Sequence, residues 1–164
     1  QHTSGGLTTE TMCEMFENIE HISYLKEEQM PSAHQITSVM ERVGDGCLGV
    51  FGGGHGRWMI SELRRGTTGF MPAVEGVDIH VQIWDAFEAG DESKARGLFN
   101  LLLPQINLIL LLGHAVIKEI LVRRGVFLTN KRRSPGSLDM DLEDLYELDQ
   151  IMEQLKPHYR VNWN

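Results

Sequence analysis

Cysteine is scarce in this chain: Cys13 and Cys47 are the only two in 164 residues, and their spacing makes no pair. That excludes a disulfide framework and a thiolate metal site, and it fits the reduced thiols of a cytoplasmic protein. Positive charge is also in deficit, with a net charge of −8. The balance argues against nucleic acid or an anionic membrane surface as the main partner. The one basic cluster, Lys131, Arg132 and Arg133, reads as a solvated loop. No basic stretch followed by an apolar one marks a secretory signal. Long apolar runs are missing as well. Leu98 to Ile117 is broken by Asn100, Pro104, Gln105, Asn107 and His114, so its pure run falls well short of the ~20 residues a membrane span needs. A buried or interface helix is expected there, and no membrane partner.

Several catalytic signatures are absent too. The seven histidines include no His-Glu-x-x-His pair and no carboxylate–histidine cluster on one face, so no metal is expected. There is no Gly-x-Ser-x-Gly elbow for a serine nucleophile. There is no Gly-x-x-x-x-Gly-Lys-Ser/Thr loop, and Gly-x-Gly-x-x-Gly does not fit. Serine hydrolysis and nucleotide binding lose their support, and no cofactor is expected.

What remains has the composition of an ordinary soluble globular chain, 41% hydrophobic and 23% charged. Its first half alternates helical patterns with short apolar runs. Leu7 to Ile19 reads as a helix capped by Thr8 or Thr9, and Ile22 to Lys26 as a strand. Pro31 and Ser32 open a second helix that Gly44 closes, and Cys47 to Phe51 is a second strand. A glycine-rich turn leads to a helix over Arg57 to Arg65, ended by Gly66, and Thr67 to Met71 is the third strand. Strands separated by helices imply βαβ units with parallel pairing, and their unalternating apolar content implies cover on both faces. After Pro72 the pattern is all helical: Val77 to Ala89, Asp91 to Leu112, Ala115 to Arg124, and an amphipathic Leu142 to Leu155. The polar stretch from Thr129 to Asp139, with Pro135 and Gly136, is a loop. Residues 1–76 are read as strands and helices bearing the active site, and 77–164 as the closing helical region of the same domain. Three parallel strands would have both edges open, so earlier strands are expected to precede Gln1.

Two features carry chemistry. Lys26 ends the first strand, and strand C-termini form the catalytic face in barrels of parallel strands. Apolar walls there would disfavour an ammonium, and the free amine could attack a carbonyl to form a Schiff base, an electron sink for C–C or C–O cleavage. The residues alone favour a surface lysine followed by two surface carboxylates, Glu27 and Glu28. The run Gly52-Gly53-Gly54-His55-Gly56 either offers N–H groups to an anion or clears space at a site mouth, and the second reading suits its position beside Lys26. His55 is either a functional group or an exposed loop residue.

Taken together, these segments resemble the dihydrodipicolinate synthase / N-acetylneuraminate lyase family. Ile22-Ser23-Tyr24-Leu25-Lys26-Glu27-Glu28 looks like its Schiff-base strand. Val50-Phe51-Gly52-Gly53-Gly54 is similar to its seventh strand, and Arg65-Gly66-Thr67-Thr68-Gly69-Phe70-Met71-Pro72 to its eighth. Ala89-Gly90-Asp91 with Ala95 resembles the turn between its C-terminal helices. Lys118-Glu119-Ile120-Leu121, Arg124-Gly125-Val126 and Arg133-Ser134-Pro135 resemble its closing segment.

The resemblance implies the C-terminal part of a (β/α)8 barrel, strands six to eight, followed by a helical region. It implies Lys26 as the imine-forming residue, with Gly53 and Met71, flanked by Gly52 and Gly54, lining the substrate site. The family's carboxylate-binding Thr-Thr pair and its proton-relay tyrosine belong to strands before Gln1, and Thr67-Thr68 is not that pair. The implied activity is a lyase acting on a small 2-oxo acid such as pyruvate or a keto-deoxy sugar acid, in a homo-oligomer. Glu27-Glu28 and the triple glycine lean toward the sugar-acid members, with Ser4, Gly5 and Gly6 also leaving room. Condensation of pyruvate with aspartate semialdehyde is the alternative. A non-catalytic assembly chain, associating through the leucine-rich helix, is a third reading, and on the truncated-barrel reading residues 1–164 alone are expected to be inactive and poorly soluble.

Overall fold

The computed structural model describes residues 5–133 and 138–160; Ser4, Ser134, Pro135 and Gly136 lie outside them. The chain divides after Pro72 into two compact units.

The first unit is built from three helices and a three-stranded sheet. α1 spans Thr9–Asn18, with the Thr8 hydroxyl accepting the Thr11 N–H at 3.2 Å as its cap. β1 is Tyr24–Glu27, α2 Ser32–Val43, β2 Gly49–Gly52, α3 Met59–Leu63 and β3 Gly69–Phe70. The strands are parallel in the order β1-β2-β3, as the strand–helix rhythm predicts. Met12 and Phe16 of α1, Ile36 and Val39 of α2, and Val50 of β2 form one apolar core, with Leu25 packed against it. Apolar residues at helical spacing on α2 thus meet every second residue of the strands.

The strands are shorter than their apolar runs, and they are not covered on both faces. β1 reaches one residue past Lys26, to Glu27. Its opposite face carries Tyr24, which is 53% exposed, with the Tyr24 and Phe51 rings 5.7 Å apart. The helix predicted over Arg57 to Arg65 is α-helical only over Met59–Leu63, because a 3-10 turn at Gly54–Gly56 takes up the preceding residues.

The second unit is helical, as predicted after Pro72. α4 is Val77–Glu88, α5 Glu92–Leu112, α6 His114–Arg123 and α7 Leu142–Leu155. Gly113, at φ 63°, lets the chain break between α5 and α6 without a Cβ clash. The Asp141 carboxylate accepts the Glu143 and Asp144 N–H groups at 2.9 Å, and Asp144 accepts the Asp141 N–H in return, a capping box. Of the apolar stripe on α7, Leu148, Ile151 and Leu155 are buried, whereas Leu142 at the first turn is exposed. α5 has the length and composition to cross a bilayer. Its buried residues Leu98, Leu102, Ile106 and Ile109 nevertheless belong to the core of this unit, where α5 packs on α4, α6 and α7. Leu110 and Leu111 stay exposed.

One buried ion pair ties this unit together. The Arg124 guanidinium bonds Asp78 at 2.6 and 3.3 Å and the Glu75 carbonyl at 2.5 Å. It also stacks 4.2 Å from the centre of the Tyr159 ring. Asp78 in turn accepts the Arg160 N–H at 2.9 Å, so α4, the end of α6 and the C-terminal turn share one node. Burial pushes the Tyr159 hydroxyl up to about 12, so it stays neutral. Removing one member of such a pair leaves an uncompensated charge in the interior. Arg124→Met is therefore expected to cost roughly 3–5 kcal/mol, read as a lower urea midpoint at unchanged slope.

Candidate functional site

The strand ends of the first unit gather the residues that the sequence marks as chemical. The β1–β2 register sets Lys26 opposite Phe51 and Glu27 opposite Gly52. Strand side chains alternate, so Lys26 shares the open face with Tyr24 and Phe51 while Glu27 turns toward the helices with Leu25. Residues 26 and 28 therefore fall on one side, and their side chains meet. Lys26 Nζ lies 3.0 Å from Glu28 Oε1, and that oxygen also accepts the Gly54 N–H at 2.9 Å. Glu28 thus joins the end of β1 to the turn after β2. The apolar enclosure predicted for Lys26 is not what surrounds it: its side chain is 36% exposed and paired with a carboxylate.

The glycines do not open the mouth that their smallness predicts. A Cβ on Gly53 would overlap the Glu28 side chain, and one on Gly52 would overlap Glu62 Oε2 and the Phe70 ring. The missing side chains admit two neighbouring carboxylates and a ring. Gly54 alone of the three faces space, with Met30 Cε 3.9 Å away. Upstream, Gly6 is crowded by the Gln29 side chain. Met71 is brought to the same end, its N–H bonding the Gly52 carbonyl at 3.0 Å while its side chain is 55% exposed. His55 sits in the turn at φ 58°, unusual for a residue with a side chain. Among the described residues no group of three or more His, Cys, Asp or Glu is placed to hold a metal ion.

Sequence reasoning missed Glu27 and Glu28 as distinct groups. Read as two surface carboxylates, they look alike; in the structure Glu27 is fully buried and Glu28 pairs with Lys26. The signal was available in the two-residue period: continuing the strand past Lys26 sends the two acids to opposite faces.

Burial of the Glu28 carboxyl opposes its charge, but the Gly54 N–H and the Lys26 ammonium outweigh burial and hold it below the usual carboxylate range. A carboxyl lowered in the folded state adds stability above its unfolded value and loses it as pH falls through the folded one. Followed by NMR, Glu28 is expected to titrate below an ordinary glutamate. In Lys26→Met its midpoint is expected to rise, because burial then acts against the Gly54 bond alone.

No protein-family model matches the chain, and no curated protein does. Solved structures do match. A dihydrodipicolinate synthase from Rhodopseudomonas palustris superposes with TM-score 0.82 at 24% identity, over 91% of this chain and 51% of that one. The 4-hydroxy-tetrahydrodipicolinate synthase of Methylacidiphilum fumariolicum SolV gives 0.76 at 16% identity, over 92% and 50%. The synthase from Aquifex aeolicus gives 0.75 at 17%, over 93% and 52%. The chain spans about half the length of these structures, and its fold is that of about half a dihydrodipicolinate synthase chain.

Proposed function

We propose that the protein carrying this sequence is a Schiff-base lyase of the aldolase or dehydratase type, acting on a 2-oxo acid through Lys26. The observation that carries this reading is the Lys26–Glu28–Gly54 contact at the C-terminal end of a parallel sheet, on a fold shared with dihydrodipicolinate synthases. In this reading the three strands are the sixth to eighth of a (β/α)8 barrel, and the open face bearing Tyr24, Lys26 and Phe51 looks into its interior.

The chemistry follows from the groups present. The Lys26 ammonium gives up a proton, and the free amine adds to the 2-oxo carbon. That proton returns as the carbinolamine oxygen leaves as water, so that a protonated imine remains that draws electrons from the bond to be broken. Glu28, already at hydrogen-bond distance from Nζ, is the counter-ion for that cation. An ion pair this exposed is worth roughly 0.2–1 kcal/mol, so substrate can displace it at little cost. Gly53 and Met71 would offer backbone groups beside the imine, with Gly52 and Gly54 flanking them. The carboxylate clamp and proton relay would come from other strands of the barrel.

Glu28 also bears on the substrate. A carboxylate beside the imine accepts hydrogen bonds from hydroxyl groups, which supports a 2-oxo-3-deoxy sugar acid over aspartate semialdehyde. The work would be done in the cytoplasm by a homo-oligomer, and Leu110 and Leu111, exposed on α5, support a self-associating surface.

Incubation of the intact protein, with its barrel complete, with pyruvate and borohydride is expected to leave a reduced adduct on Lys26, located by peptide mass spectrometry. An adduct on Lys118 instead, or none, would overturn the assignment. Assayed side by side, a keto-deoxy sugar acid is expected to give the higher kcat/KM; a higher value for the semialdehyde condensation reverses the substrate preference.

A further inference from the structure

The open face that carries Lys26 also carries an aromatic ring whose direction is set by one glycine. The strand register places Lys26 of β1, Phe51 of β2 and Gly69 of β3 in a single row across the sheet. Phe51 therefore stands between the lysine and a position with no side chain. Its ring lies over that glycine: a Cβ on Gly69 would stand 2.8 Å from Cε1 and 2.9 Å from Cδ1, inside the 3.4 Å at which ordinary contact begins. From the β1 side the Tyr24 ring meets it at 5.7 Å between centres, tilted by 48°, within the range in which aromatic pairs attract. β2 and β3 repeat the device on their other face one residue later, where the Phe70 ring lies over Gly52. Setting a ring on a cross-strand glycine recovers packing that the glycine cannot supply.

We propose that Phe51 is a specificity-determining residue: seated on Gly69, its ring is held off the Lys26 end of the row, and the room this leaves beside the amine admits the chain of a longer 2-oxo acid.

The assignment rests on the Schiff-base reading of Lys26. A 2-oxo acid attached there has to place everything beyond the imine carbon against the open face. Phe51 is the lateral neighbour of Lys26 on that face, whereas Tyr24 lies two residues back along β1. Gly52 and Gly53 do not supply the room, because Glu62, the Phe70 ring and Glu28 fill the positions their side chains would take. Gly69 supplies it, through the direction it gives the Phe51 ring. A methyl group at position 69 takes the seat away. The Tyr24 ring closes the way toward the start of β1, so the displaced ring turns along the row toward Lys26. Close-packed neighbours answer even one added methyl group by shifting, and one methylene in a pocket changes substrate discrimination by roughly tenfold or more.

The intact protein is compared with Gly69→Ala, Phe51→Val and the double variant. Each is trapped with borohydride, once with pyruvate and once with a keto-deoxy sugar acid, and each is melted. Valine suits a strand and removes every ring atom that position 69 meets. With Phe51 present, Gly69→Ala is expected to lower the trapping rate of the sugar acid relative to pyruvate by roughly tenfold. It is also expected to lower the melting temperature by roughly 2–4 °C. Both losses are expected to vanish when the same change is made in Phe51→Val, since alanine otherwise strengthens a strand that glycine weakens. Equal melting losses in both backgrounds, or none in either, overturn the seating of the ring. Trapping with an unchanged sugar-acid to pyruvate ratio in Gly69→Ala overturns the specificity role and leaves the Schiff-base reading standing. Should Gly69→Ala not fold, Phe51→Trp decides: a bulkier ring is expected to lower the ratio, and an unchanged or raised one overturns the role. Absence of trapping with either acid in the unmodified protein removes the Schiff-base reading and the role with it, while the melting comparison still judges the seating.

Discussion

The β1–β2 register governs everything at this site. Pairing Lys26 with Phe51 and Glu27 with Gly52 sends the three consecutive residues Lys26, Glu27 and Glu28 alternately to opposite faces of the sheet. A slip by one residue would put the lysine among the helices and Glu27 on the open face. The register is held by the apolar side of the same strands, where Leu25 and Val50 pack under Ile36 and Val39 of α2. The hydrophobic core of the first unit thus decides which acid accompanies the amine. It is not a separate scaffold beneath the chemistry.

The two carboxylates that follow Lys26 illustrate how far environment separates identical side chains. Glu28 stays partly solvated beside an ammonium and a backbone N–H, and its charge is favoured. Glu27 is fully buried and faces a second acid. The second unit handles burial differently: Asp78 is matched by a guanidinium that also stacks on Tyr159. A matched buried pair serves to hold elements together.

The helices were the legible part of the fold. α2, α4 and α7 lie within a residue or so of the apolar periodicity that announces them, because helix burial leaves a repeating trace in sequence. The three parallel strands were legible from the alternation of runs and helices, but not their lengths. β3 pairs with β2 over two residues only, because a ladder ends where the partner turns away, and no side-chain type marks that point. Lys26 was legible as the nucleophile candidate through its place at a strand end. Its carboxylate partner was not, because Lys-Glu-Glu reads as a solvated charge run until the strand is known to continue through it. The glycines were read as space, when Gly52 and Gly53 are there to admit Glu62, Phe70 and Glu28. Nothing local to Gly52 announces an acid ten residues later on α3.

On the proposed Schiff-base reading, the difference in strength between the two acid sites would let them serve one reaction. The Lys26–Glu28 contact is one-third exposed on the lysine side, in the regime where an ion pair contributes roughly 1 kcal/mol or less. A substrate that forms a covalent bond to the lysine can break it readily. If the loop bearing Glu28 were held by that contact alone, the carboxylate would drift away as soon as the amine reacted. The bonds from Ser32 to Glu62 and from Gln29 to Glu27 end on acids that are buried, where losing a bond leaves an unsatisfied polar group. They do not depend on the state of Lys26. On the proposed Schiff-base reading, the weak contact would open during imine formation while the buried ones keep Glu28 within reach of the cation that forms.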